Sequence, residues 1–339
     1  AQHDRVLWQD DSFYIQRKGT FTKTPFYHAG LFYIQEASSM IPVEVLDVKP
    51  KDYVLDICAS PGSKTTQIIS KSQNQGLVVA NEIRRDRIGR LIENVCRWGA
   101  KNTLISNQAS TSFRGLTHFF DKILVDAPCS GEGMFKKDPD TLKYWSQKNV
   151  YSCSVTQKTI LEDVVGSLKV GGTLVYSTCT LAPEENEENV SWLLKKYPGC
   201  FEVETIKIKS NHFGSNGITR YENKTYNDEV TKTMRVWPHR ESSEGFYVAK
   251  LRKLKPVPKN EWNKKEKLKQ IINKPNQKLL GEFLKKHKLK IKANEVIQIG
   301  YKLYWIGNLK LQDIKKLGPM IKPVYQGVHL GNEKKNRIE

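Results

Sequence analysis

Between residues 52 and 182 short apolar runs alternate with stretches of helical period, and a parallel sheet covered by helices is the fold that satisfies this pattern. "YVLDIC" (53–58) reads as a buried strand, "GSKTTQIISK" (62–71) as the helix that follows it, and "LVVANE" (77–82) as a second strand. Ile88, Leu91, Ile92 and Val95 recur at i, i+3, i+4 and i+7, which predicts a core-facing helix over 84–98 that Gly99 stops. "NTLIS" (102–106) and residues 122–126 predict a third and a fourth strand. A helix around 156–168 is closed by Gly171 and Gly172, and "TLVYST" (173–178) is a fifth strand. "APEENEENVSWLLKKY" opens on a proline and acids and finishes with Lys195 and Lys196, the order that a helix dipole favours. "GFYVAKL" (245–251) predicts one more strand of the same sheet.

Charge divides the chain of 339 residues unevenly. Residues 251–339 carry 23 lysines and arginines against 7 acids, a net charge of +16, whereas the first 250 residues sum to +3. A basic segment points to a polyanion, most simply nucleic acid, against the plainer reading of a solvated lysine-rich surface. Pro256 and Pro258 mark a boundary, and apolar spacing at Leu279, Leu280, Phe283 and Leu284 predicts a small folded module over 259–339. No apolar run reaches the ~18 residues of a spanning helix, and no secretory segment opens the chain. Six cysteines without a C-x-x-C pair fit a reducing cytosol, free thiols and no zinc site. The chain opens on Ala1, so residues are expected before it.

"LDICASPGSKTT" (55–66) occupies the first strand-to-helix turn, where open α/β sheets bind nucleotides. A dinucleotide fingerprint is absent, because Gly62 is the only glycine. A P-loop is absent too, because Cys58 and Ser63 stand at its two glycine positions. What remains is a tight turn with Lys64 at the helix start, suited to a ligand with a carboxylate and no polyphosphate. Glu82 ends the second strand, where an acid can accept hydrogen bonds from both ribose hydroxyls. Ribose and carboxylate without phosphate describe S-adenosylmethionine.

Two further strand ends each carry a thiol. "ILVDAPCSGEGMF" (123–135) places Asp126 three residues before Cys129, and "LVYSTC" (174–179) ends on Cys179. Thiols beside an acid at strand ends are candidate nucleophiles, and from residue types alone either thiol is acceptable. Cys96, Cys153 and Cys200 read as packing residues, Cys58 as a contributor of backbone, and Trp98 and Trp145 as packing residues.

Together, "DICASPGSKTTQ", "ANE", "KILVDAPCSGEGMFKKDP", "QKTILED", "GGTLVYSTCTLAPEENE" and "MRVWPH…EGFYVAKL" resemble the Nsun/RsmF-like RNA 5-methylcytosine methyltransferases, in order, over about residues 28–251. The resemblance implies a class I S-adenosylmethionine-dependent methyltransferase: a Rossmann-like α/β fold with a mostly parallel sheet of about seven strands and a small basic C-terminal module. The implied division is a lead-in segment at 1–49, the methyltransferase domain at 50–254 and an RNA-binding module at 255–339 that continues beyond Glu339. The family's pattern assigns attack to Cys179 and release to Cys129, with Asp126 and Lys64 beside them. It assigns the cofactor to Cys58, Ala59, Ser60, Pro61, Gly62, Ser63, Lys64, Glu82, Arg87 and Asp126, and no metal. Where family members place a polar or acidic residue near the adenine, this chain has Ala109 in "SNQAST". The implied substrate is small-subunit (16S) ribosomal RNA, met in the cytoplasm by a monomer that does not engage a membrane. The same chemistry on transfer RNA, and a non-catalytic assembly factor on this fold, are the competing readings. Retention of both Cys179 and Asp126 speaks against the latter.

Overall fold

The computed structural model describes residues 4–339 except 16–18, 210–212, 242, 259–271, 308, 310, 319 and 336. Strands β1 (Tyr53–Asp56), β2 (Leu77–Asn81), β3 (Thr103–Ser106), β4 (Phe120–Asp126) and β5 (Leu168–Thr178) lie parallel in the order β3-β2-β1-β4-β5. Their centres, such as Val54 and Leu55, Val78 and Val79, and Ile123 to Val125, are fully buried, as a sheet covered on both faces requires. β6 (Phe201–Glu204), β7 (Ser215–Asn216), a short hairpin of β8 (Arg220–Tyr221) and β9 (Lys224–Thr225), β10 (Met234–Val236) and β11 (Phe246–Lys253) follow. β11 runs antiparallel to β5, and β10 and β6 share its far edge. The expected arrangement of about seven strands is therefore present, with β6 and β10 dividing the seventh place.

Helices α1 (Pro25–His28) and α2 (Ile41–Leu46) belong to the lead-in segment. α2 buries Ile41, Val43 and Leu46 against the sheet, and Arg97 ties the α1 region down by donating to the carbonyls of Tyr27 (2.9 Å) and Phe32 (3.2 Å). α3 (Ser63–Ser72), α4 (Ile88–Arg97), α5 (Gln147–Val164) and α6 (Glu187–Lys196) are the sheet's connections. α5 begins nine residues before the predicted start, with the Ser146 hydroxyl accepting from Asn149 N at 3.1 Å as an N-cap. Its buried face includes Ser154 and Gln157, polar residues that hide the helical period from a reading of apolar spacing. Gly171 and Gly172, read as a helix stop, lie inside β5, where a Cβ on Gly172 would come within 2.8 Å of the Asp121 carbonyl.

The C-terminal residues form β12 (Ile272–Asn273), α7 (Gln277–Lys286), β13 (Val296–Ile299), β14 (Lys302–Trp305), α8 (Leu311–Leu317), β15 (Pro323–Gln326), β16 (Val328–Lys334) and β17 (Arg337–Ile338). A second sheet, β12-β13-β14-β16-β17, packs on α7 around Leu280, Leu284, Val296 and Leu303. The predicted module starts at 259, and its first thirteen residues lie outside the described ones. β15 does not stay with this sheet: it pairs antiparallel with β3 and extends the first sheet. Tyr53 donates to Asp313 across the same junction, and Lys322 N donates to Gln108 Oε1 at 2.6 Å. Among the described residues no helix is long and apolar enough to cross a membrane.

Candidate active site

β1 has β2 on one side and β4 on the other, so the strand order reverses between β1 and β4 and a crevice opens at their carboxyl ends. Asp126, the last residue of β4, is in register with Ser177 of β5. Both strands stop within two residues, so Cys129 and Cys179 emerge side by side. Their sulfurs are 3.3 Å apart, and both thiols are free and half-buried.

The turns that carry them are locked together. Gly133 N donates to the Cys179 carbonyl at 2.9 Å, the Ser130 and Thr180 hydroxyls meet at 2.8 Å, and Leu181 N donates to Glu132 Oε2 at 3.2 Å. Gly133 is required by close approach. A Cβ there would lie 2.2 Å from the Gly245 carbonyl oxygen and 2.7 Å from that of Cys179. Trp145, expected to pack, is 41% exposed and donates to Glu132 Oε1 at 2.7 Å.

Lys64, in the first turn of α3, reaches the same place from the other side. Its Nζ is 2.8 Å from Asp126 Oδ2 and 5.2 Å from the centre of the Phe246 ring. Ser177 Oγ donates to Asp126 Oδ1 at 2.8 Å. Burial alone pushes the Lys64 ammonium down, but the Asp126 carboxylate and the neighbouring Cys179 more than offset this and hold it above its ordinary value.

The opposite charge lies under the other thiol. Glu185 is fully buried and accepts from Ser130 N (3.3 and 3.2 Å to its two oxygens) and from Gln157 Nε2 (2.6 Å). Gln157 Nε2 also donates to the Pro128 carbonyl at 2.8 Å, so both groups grip the turn that bears Cys129. Contact with Cys179, burial and the Glu185 carboxylate hold the Cys129 thiol well above its ordinary value. The pair is thus electrically asymmetric, with a cation beside Cys179 and a carboxylate beside Cys129. A Cys129 S–H donating to the Cys179 sulfur is the arrangement this field favours.

The crevice beside the thiols is walled by the turn from Cys58 to Ser63. Ala59 N donates to the Asn81 carbonyl (2.8 Å), Arg87 Nη2 to the Ser60 carbonyl (2.7 Å) and Asn94 Nδ2 to the Pro61 carbonyl (2.8 Å). Gly62 caps α3 with φ +110°, a conformation that favours glycine. Glu82 is 4% exposed just past β2; its Oε1 accepts from Arg84 N at 2.7 Å, and its Oε2 lies 3.8 Å from Arg87 Nη1. The candidate residues therefore fall into two adjoining groups, one around the thiols and one along the turn, with Lys64 and Asp126 at their junction. Arg87 serves the turn as a brace. Ala109 is exposed, and the side chain of its neighbour Gln108 is turned to the C-terminal segment, with Nε2 donating to the Met320 carbonyl at 3.2 Å.

Sequence reading missed two groups. Glu185 sat in an acid-rich run explained by the helix dipole. Asp56 is the one charged residue in an otherwise apolar strand, and that interruption was the available signal. Asp56 is 1% exposed; its Oδ2 accepts from Thr65 Oγ1 at 2.7 Å, its Oδ1 has no partner, and burial pushes it up to about 7.

The loop after Cys179 rests on a buried ion pair. Arg235 Nε donates to Glu187 Oε1 at 2.6 Å and Nη1 to the Leu181 carbonyl at 2.9 Å, and both side chains are inaccessible. Arg235→Leu leaves Glu187 buried without its cation and is expected to cost about 3–5 kcal/mol. Urea denaturation checks this; a loss under 1 kcal/mol contradicts it.

The model of the family described as 16S rRNA methyltransferase RsmB/F matches residues 43–252. The ribosomal RNA small subunit methyltransferase F of Vibrio cholerae is 43% identical over 266 residues, 77% of this chain and 54% of that protein. The tRNA (cytosine(49)-C(5))-methyltransferase of Pyrococcus abyssi is 43% identical over 227 residues, 67% of this chain and 72% of that protein. Among solved structures, NSun6 from Pyrococcus horikoshii with SFG superposes with a TM-score of 0.61 at 32% identity, covering 70% of this chain and 57% of that one. A methyltransferase homologue from Pyrococcus horikoshii gives 0.63 at 35%, covering 75% and 78%. The chain spans about half the length of the methyltransferase F relatives it matches.

Proposed function

The chain belongs to the 16S rRNA methyltransferase RsmB/F family, and on that premise we propose that it methylates carbon 5 of a cytosine in RNA, with small-subunit ribosomal RNA as substrate and S-adenosylmethionine as methyl donor. The observation that carries this reading is the pair of free thiols 3.3 Å apart, flanked by the Lys64–Asp126 pair. Two relatives are named for ribosomal and transfer RNA respectively. The basic C-terminal segment, in our reading an RNA-binding module over 255–339, favours neither by its charge alone.

The crevice fits the proposed donor. Asp56 Oδ1 is a buried carboxylate oxygen without a partner, which suits the cofactor's ammonium group. Glu82 is a buried acid suited to ribose hydroxyls, and the turn from Cys58 to Ser63 is left for the methionine end. The bound cofactor supplies an electrophilic methyl group on a sulfonium. Glu82→Ala should weaken its binding by about 1.5–3 kcal/mol, the scale of a lost hydrogen bond to a charged group. Calorimetry giving unchanged affinity in a folded variant would remove Glu82 from the site.

In the proposed reaction the Cys179 thiolate adds to carbon 6 of the base. Asp126 receives the exocyclic amine and, with Lys64, accommodates charge pushed into the ring, so that carbon 5 takes the methyl group. Release breaks the carbon 5–hydrogen and carbon 6–sulfur bonds and restores the ring double bond. Cys129 hands its proton to the departing Cys179 sulfur and takes up the carbon 5 proton; one proton then passes to solvent and the pair is reset. The target base has to reach the strand ends from a single strand or by being flipped out.

Incubation with methyl-labelled cofactor and purified ribosomal or transfer RNA, followed by bisulfite mapping, tests the reading. A single new 5-methylcytosine in ribosomal RNA is expected. Label in transfer RNA alone would move the substrate, and label on another atom would overturn the chemistry.

A further inference from the structure

Glu185 has no part in the chemistry just described, yet it is a fully buried acid whose side-chain partners are an amide N–H and a glutamine. Burial without a cation is costly to a carboxylate. Among the described residues the titratable groups that face it are Cys129 and Glu132 from the segment after β4, Cys153 from α5 and Tyr176 from β5, and none of these is positive. We infer that Glu185 is the positioning residue that assigns the roles of the two thiols: seated under the Cys129 turn, it keeps the proton on Cys129 and leaves Cys179, beside Lys64, as the attacking sulfur. The hydrogen bonds explain how. The carboxylate takes Ser130 N, the amide next to Cys129, while Gln157 couples it to the Pro128 carbonyl on the other side. Without that charge the two sulfurs, 3.3 Å apart, would compete for one proton on more equal terms.

This inference rests on the reading that Cys179 attacks, but its test needs neither RNA nor cofactor. In a Cys179→Ser background, alkylation of Cys129 by iodoacetamide is followed against pH by mass spectrometry of the peptide that contains it. Glu185→Gln keeps an acceptor for Ser130 N and removes the charge. It should lower the apparent Cys129 pKa by at least one unit, giving about tenfold faster labelling at pH 8. Identical profiles with and without the charge would overturn the inference while leaving the methyltransferase reading intact. An adduct on Cys129 in otherwise unchanged protein would instead overturn that reading. Should Glu185→Gln not fold, Cys179→Ser with Glu185 in place still decides. Burial pushes Glu185 up to about 7, so the labelling rate should climb by less than one decade per pH unit through neutrality, as each new carboxylate raises the thiol. A uniform slope of one decade per unit contradicts the inference.

Discussion

Cys179→Ala is expected to abolish methyl transfer altogether, with no covalent protein–RNA species at any time. Cys179 is the sulfur beside the Lys64 cation, and Cys129 is held protonated by its contact with Cys179, by burial and by Glu185. A folded Cys179→Ala protein should still bind cofactor, because the crevice from Cys58 to Glu82 does not use that thiol. Retention of more than a trace of methylation would show that Cys129, or a route without a thiolate, does the chemistry.

Loss of the Lys64–Asp126 pair should be nearly as severe. Asp126→Asn preserves the bond from Ser177, since an amide oxygen also accepts, but removes the charge and the acid function next to the ring. Lys64 is then left 90% buried beside an amide. General acid–base assistance contributes about 10²–10⁴-fold, so the maximal rate should fall by that order with the fold retained. Lys64→Met should fall as far, because it removes both the ion-pair partner of Asp126 and the cation beside Cys179. Single-turnover kinetics at saturating cofactor measure both. A drop of less than tenfold in Asp126→Asn would remove the carboxylate from the reacting centre.

The catalytic sheet was legible because β1, β2, β4 and β5 are buried on both faces and therefore read as continuous apolar runs. α5 was legible only in part, because its inward face includes Ser154 and Gln157, which serve the thiol turns rather than the apolar core. Gly172 was misread because glycine at a close backbone approach and glycine at a helix end look the same in one dimension. The pairing of β15 with β3 joins residues more than 200 positions apart, and no local pattern announces such an edge contact. Of the site, the strand-end thiols, Asp126 and Glu82 stood out by residue type at a switch point. Glu185 did not, since every acid in "PEENEE" looks equally suited to a helix start and only burial distinguishes it. Nor did the electrical difference between the thiols, which arises from Lys64 and Glu185 lying far apart in the chain.

Two thiols, one attacking and one releasing, form the centre of this account, and Cys129→Ala tests that most directly. The variant is incubated with RNA and S-adenosylmethionine and run on a denaturing gel. The account predicts a covalent protein–RNA band that accumulates because attack proceeds and elimination stalls, and that disappears when Cys179 is also replaced. Normal turnover by Cys129→Ala, or a trapped band in Cys179→Ala in its place, would contradict it.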